Sequence, residues 1–261
     1  MYEAAQEIFD FLPINKSKPE ADYIDHLWNA FLALDNTDNS ARPFIMMPFH
    51  LLFMLAFQFK VLRTSREWRS DYDLAFTMEN PREDQRAVLS PGSAFDLALL
   101  NESKLIDLLK IVGLSVDRVR EVKLLVRNRN DNLAHAKGGI EPQPNERIDQ
   151  YLDALRDLQP FFVSHNDRIA EQWLNEITDE DDLNNYVDAC LPESQLCPAD
   201  FKAGLLSVFS FDEDIPFEQW QSAVARVFTL GSPSGLIWLK HIAQNHPDLI
   251  KRSEISRMIR E

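Results

Sequence analysis

The chain has 261 residues, 45% of them hydrophobic, with seven glycines and a formal charge of −15. That length supplies a core for one large domain or two small ones, and so few glycines disfavour a turn-rich strand fold. The acidity excludes a protein that coats nucleic acid nonspecifically, so any nucleic-acid contact must be local and shaped.

The first residues, MYEAAQEIFDFLP, lack the basic start of a signal peptide. Tyr23, Leu27, Ala30, Phe31 and Leu34 form a stripe at helical spacing. Asp35–Arg42 is a polar loop, and Pro43 is placed to start a helix that runs to about Arg66. Within it, Phe44 to Phe59 is very apolar. It is shorter than the roughly 20 residues of a membrane span and contains Pro48, His50 and Gln58, with Lys60 and Arg63 following at once. A buried core helix is expected, with His50 a hydrogen-bonded core histidine rather than a ligand.

Residues 78–94, with Pro81, Pro91 and Gly92, read as loop or broken helix. A helix through Leu97–Ile111 stops near Gly113, and Ser115 or Asp117 caps the next, which runs to about Lys137. Gly138-Gly139, with Pro142 and Pro144 beyond, ends it. Asn145 to about Gln159 is another helix, punctuated by Pro160. After residue 165 short helices are expected at 167–177, 180–190, 198–209, 216–230, 233–244 and 247–260, several opening on a proline. The expected organisation is all-α: a helical bundle over 1–165 and a smaller all-helical unit over 166–261. Cys190 and Cys197 make neither a disulfide framework nor a complete zinc site; they read as buried thiols in a reducing, cytoplasmic compartment. Asp179–Asp182 after Thr178, and Asp212–Asp214 before Pro216, read as helix starts rather than metal sites.

The segment Val116–Gly139 carries the most chemistry. On a wheel of about 100° per residue, Val122, Leu125, Val126, Leu133 and Ala136 define a core face, and Arg129 falls in its middle. An arginine on a buried stripe is normally paired or used. Asn130 sits at the edge of that face. Asn128, Asp131, Asn132 and His135 form a second, polar stripe. From Asp117 to Lys137 six basic residues face three acidic ones, net +3, whereas 152–188 holds ten acidic and two basic, net −8. Acid there would repel RNA and confine it near the basic helix.

The string RNDNLAHAKGG resembles the signature of HEPN domains: an arginine, usually followed by asparagine, and a histidine separated from the arginine by four to six residues. Arg129 and His135 are separated by five residues, and Asn130 holds the polar position. The resemblance spans about residues 20–165. It implies a HEPN-like helical bundle, a homodimer that shares its pocket across a two-fold axis, and metal-independent RNA cleavage with no cofactor. Arg129, Asn130 and His135 are then catalytic, while Arg127, Asn128, Asp131, Asn132 and Lys137 bind substrate. Arg127-Asn128 is a second Arg-Asn pair. Its arginine is separated from His135 by seven residues, outside the family's range, yet nearer on the wheel, at about 80° against about 120° for Arg129.

In that chemistry the 2′-hydroxyl attacks its own phosphate. Histidine has the unperturbed pKa to take the proton near neutrality, and a guanidinium answers charge on the non-bridging oxygens. Such an enzyme acts in antiviral defence or as a toxin, held by a regulatory or neutralising protein, with no membrane involved. The alternative is a non-catalytic adaptor that uses the same bundle for dimerisation or partner binding. There Arg129 is a buried ion-paired residue and His135 a core or cap residue near a helix C-terminus.

Overall fold

A computed structural model describes residues 2–14, 16–36, 42–67, 69–79, 87–129, 143–176, 197–202, 221, 239–240, 243–244 and 248–259. Every element among them is helical, and the chain is all-α. The α-helices are α1 (Lys18–Asp35), α2 (Met46–Glu67), α3 (Arg69–Glu79), α4 (Glu102–Asp107), α5 (Val116–Arg129), α6 (Pro144–Glu176), α7 (Pro198–Lys202) and α8 (Leu249–Met258). Tight 3₁₀ turns occupy Glu3–Phe11, Arg42–Ile45, Ala94–Leu99 and Leu108–Val112. The chain divides into two compact units, Met1–Leu158 and Gln159–Glu261, with the division inside α6 and ahead of the composition change at residue 165.

In the first unit α2 is the central helix. The apolar run predicted as a core helix is one: Phe49, Leu52, Phe53, Ala56 and Phe57 are fully buried. Burying each large side chain stabilises the fold by roughly 1.5–3 kcal/mol. No helix among the described residues is long and apolar enough to cross a membrane. Lys60 and Arg63, which interrupt the run in the sequence, are also buried, and the Lys60 ammonium lies 5.9 Å from the centre of the Phe11 ring.

Helix α1 packs against α2. Its start is a capping box, in which Ser17 Oγ accepts from the Glu20 amide at 3.4 Å and Glu20 Oε2 from the Ser17 amide at 2.9 Å. Glu20 Oε1 also accepts from the Ala94 amide at 3.3 Å, tying the Ala94–Leu99 turn to α1. The buried face of α1 is Ile24, Leu27 and Phe31. Tyr23 and Ala30, expected on the core stripe, are exposed and Leu34 is half-buried. Aromatic contacts between elements fix this rotation: Phe31 meets Phe49 of α2 at 5.7 Å, while Tyr23 meets Phe95 edge-on at 5.5 Å.

Three other expectations are corrected. The stretch at 97–111 is not one helix: Ala94–Leu99 and Leu108–Val112 are 3₁₀ and only Glu102–Asp107 is α. Two caps break it. Ser93 and Asp96 form a capping box ahead of the first turn, and Asn101 Oδ1 accepts from the Lys104 amide at 2.8 Å to restart the chain as α4. Gly113 then closes the segment at φ 91°, a left-handed conformation that costs glycine little. The segment before residue 78, given no element above, forms α3, held by Tyr72, whose buried hydroxyl donates to the Val88 carbonyl at 2.8 Å. Finally, Pro160 does not end its helix. Helix α6 runs through it, and the expected helix at 167–177 is the end of α6.

In the second unit Gln159 Nε2 donates to Asp200 Oδ1 at 2.5 Å, and Asp200 Oδ2 accepts from the Cys197 amide at 2.8 Å at the start of α7. Asp200 and Cys197 are buried. Asp248 caps α8 by accepting from the Ile250 amide at 2.7 Å. Cys190, Asp179–Asp182, Asp212–Asp214 and the helices expected at 180–190, 216–230 and most of 233–244 lie outside the described residues.

Candidate functional site

Helix α5 begins where the Ser115 hydroxyl accepts from the Arg118 amide at 3.3 Å, the cap expected there. Val119, Val122 and Val126 are its buried face. Leu125, expected on that face, is half-buried, and Leu124 is 49% exposed. Arg129 is the last residue of α5.

Beside the valine face, Arg120, Lys123 and Arg127 recur at helical spacing and line a groove of about 750 Å³ between α4 and α5. Asn101, Glu102 and Ser103, at the start of α4, form its other wall; Leu100, Ile106, Leu124 and Val126 supply apolar surface. The cations are held in place by acids. Arg120 lies 3.2 Å from Asp117, and Lys123 is hydrogen-bonded to Asp107, whose other oxygen is 2.7 Å from Lys110. Burial pushes the Asp107 carboxyl up, but the ammonium groups of Lys110 and Lys123 outweigh it and hold the carboxyl below its ordinary value. Lys123 is thus tethered at the groove wall rather than spread into solvent.

Behind this groove lies a polar chain that connects three helices. His50 of α2 is fully buried. Its Nε2 is 2.9 Å from Glu102 Oε1 and its Nδ1 is 3.1 Å from the Tyr151 hydroxyl of α6. The carboxylate can only accept, so Nε2–H donates to it, and Nδ1 shares a hydrogen bond with the Tyr151 hydroxyl. Tyr151 is itself buried, stacked on Phe53 with ring centres 4.3 Å apart. His50 is the hydrogen-bonded core histidine expected from the sequence. Its partners were not legible there: Glu102 falls within the stretch expected as one helix over 97–111, and Tyr151 within the helix expected from Asn145, with no role assigned to either.

A second, apolar cleft of about 330 Å³ lies between α5 and the first part of α6, lined by Leu114, Val122, Leu124, Leu125, Ala154 and Leu158. Arg118 bridges its rim, 2.8 Å from Glu121 and 3.2 Å from Asp157.

Of the residues singled out in the sequence, Arg127 is exposed on the groove wall. Asn128 and Arg129 are the last residues of α5, their side chains not among those described. Asn130, Asp131, Asn132, His135 and Lys137 lie outside the described residues. Comparison with protein-family models, characterised proteins and solved structures finds no match for the chain.

Proposed function

We propose that the protein is a metal-independent endoribonuclease of HEPN type, working as a homodimer in the cytoplasm as an antiviral or toxin-like effector. One observation carries the reading. The helix that leads into Arg129, Asn130 and His135 also displays Arg120, Lys123 and Arg127 along a groove, in a chain whose net charge is −15. Phosphate contacts in so acidic a protein need such a local concentration of cations. His135 takes the proton of a ribose 2′-hydroxyl as its oxygen attacks the adjacent phosphorus. The bond to the 5′-oxygen breaks, that oxygen gains a proton, and a 2′,3′-cyclic phosphate remains. Arg129 stabilises charge on the non-bridging oxygens, and Asn130 orients the phosphate or the histidine. Asn128, Asp131, Asn132 and Lys137 complete the substrate contacts with Arg127.

The adaptor reading draws on the apolar cleft between α5 and α6, where Leu124 is half exposed. One experiment separates the two. Purified protein is incubated with RNA in EDTA, beside His135→Ala and Arg129→Ala variants, and melting temperatures are measured in parallel. The ribonuclease cuts with chelator present and leaves cyclic phosphate ends. Both variants lose about 10²–10⁴ of the rate, and His135→Ala melts like wild type. Uncut RNA with an early-melting His135→Ala variant leaves the adaptor in its place. Cleavage that stops with EDTA and returns with magnesium replaces the mechanism.

A further inference from the structure

A buried polar chain needs a reason. Tyr151, His50 and Glu102 occupy a site where apolar side chains would pack without having to satisfy four or more polar atoms, and such networks stabilise little unless every member is paired. Here they are paired, and the chain reaches solvent at one end: the Glu102 side chain is 30% exposed and forms part of the groove wall, while His50 is 0% exposed. The effect is to fix one carboxylate in position opposite Arg120, Lys123 and Arg127.

The chemistry of that wall selects its ligand. Arg120, Lys123 and Arg127 span about 10 Å of helix at about 1.5 Å per residue, a length that neighbouring phosphates of one strand can follow. The Arg120–Asp117 pair is at the surface, with Arg120 70% exposed, so exchanging that carboxylate for a phosphate costs little. A carboxylate facing the same strand repels phosphate. Its complement is a neutral hydrogen-bond donor next to a phosphate, and in a nucleic-acid backbone that donor is the ribose 2′-hydroxyl, which DNA lacks.

We propose that Glu102, held by His50 and Tyr151, accepts a hydrogen bond from a ribose 2′-hydroxyl of a single-stranded RNA lying in the α4–α5 groove, and so selects RNA over DNA. The choice of RNA rests on the ribonuclease reading of α5. Glu102 here is a specificity contact, separate from the proton transfer assigned to His135.

The test is fluorescence anisotropy with a labelled 12-nucleotide RNA and the DNA of the same sequence. It uses the full chain carrying His135→Ala so that nothing is cut. RNA binds about tenfold more tightly than DNA, a margin equivalent to about 1.4 kcal/mol. Glu102→Gln, which keeps shape and an acceptor for His50, brings the ratio close to one. Arg120→Gln and Lys123→Gln weaken both strands alike and flatten the salt dependence, by about 0.7 in log–log slope per charge removed. A Glu102→Gln variant that keeps the full RNA preference, with an unchanged melting temperature, overturns the proposal; so does failure of the RNA to bind. The ribonuclease reading fails separately. Preference lost with Glu102→Gln, in a protein whose wild type cuts nothing, keeps this contact and removes the enzyme; cleavage by wild type with preference untouched does the reverse.

Discussion

Asp107 sets the geometry of the groove without lining it. It sits between Lys110 and Lys123, and the two ammonium groups lower its pKa against the opposing effect of burial. A carboxyl whose folded pKa lies below its unfolded value contributes its full stability above the unfolded value of about 3.9 and loses it as pH falls through the folded one. The Asp107→Asn variant should therefore melt below wild type at neutral pH, and the gap should close as pH drops from about 4 towards 2. Melting curves across that range are the check; a gap independent of pH would mean that charge is not what Asp107 contributes. The magnitude is modest, because both partners are partly in water. His50 illustrates the other limit. Buried completely, it has no solvent to fall back on, so its two ring nitrogens need Glu102 and Tyr151.

Helix α6 carries the clearest conflict between local preference and observed structure. Proline in a helix interior removes a hydrogen bond and clashes with the carbonyl four residues back, at about 3 kcal/mol. Pro160 nonetheless lies inside a helix of 33 residues. Tertiary burial on both sides of it supplies the compensation: Leu155 and Leu158 precede it, and Phe162 and Val163 follow, all buried. Pro160 itself is exposed, so little packing depends on its ring. Pro160→Ala should raise the denaturation midpoint, by an amount corresponding to about 1–3 kcal/mol, as read by chemical denaturation followed by circular dichroism. A loss of stability would show that the proline shapes the junction at the unit division rather than straining it. The other element boundaries follow local chemistry: Ser17, Asn101, Ser115 and Asp248 each accept from an amide in the turn they open.

For the whole molecule, the question is what covers the exposed apolar side of α5. Val116 is 61% and Leu124 49% exposed, and the cleft that Leu124 lines is rimmed by both signs of charge. In the proposed enzyme a second copy supplies that cover and completes the pocket, because a helix continued through His135, as the sequence predicts, would put Arg129 and His135 about 120° apart. Sedimentation at micromolar concentration should give a dimer, and Leu124→Glu should return it to monomer with cleavage lost. A wild-type monomer that is fully active would remove the shared pocket from the mechanism.

Much of this was legible from residue types alone. The all-helical class followed from few glycines and a pervasive 3.6-residue period, the central helix from the run at Phe44–Phe59, and the caps at Ser115 and Gly113 from local hydrogen-bonding and backbone preferences. These are determined within a turn or two of chain, which is why a sequence displays them. Asn130 and His135, singled out by the motif, fall outside the described residues. What only the tertiary structure decided are matters of long-range packing. It carried α6 through Pro160 and turned α1 so that Ile24 rather than Tyr23 meets the core. It also brought residues 50, 102 and 151 within hydrogen-bonding distance. No periodicity links those three positions. Their meeting depends on how three helices cross, and that is set by the summed burial of aromatic side chains spread along the first unit, not by any neighbour in sequence.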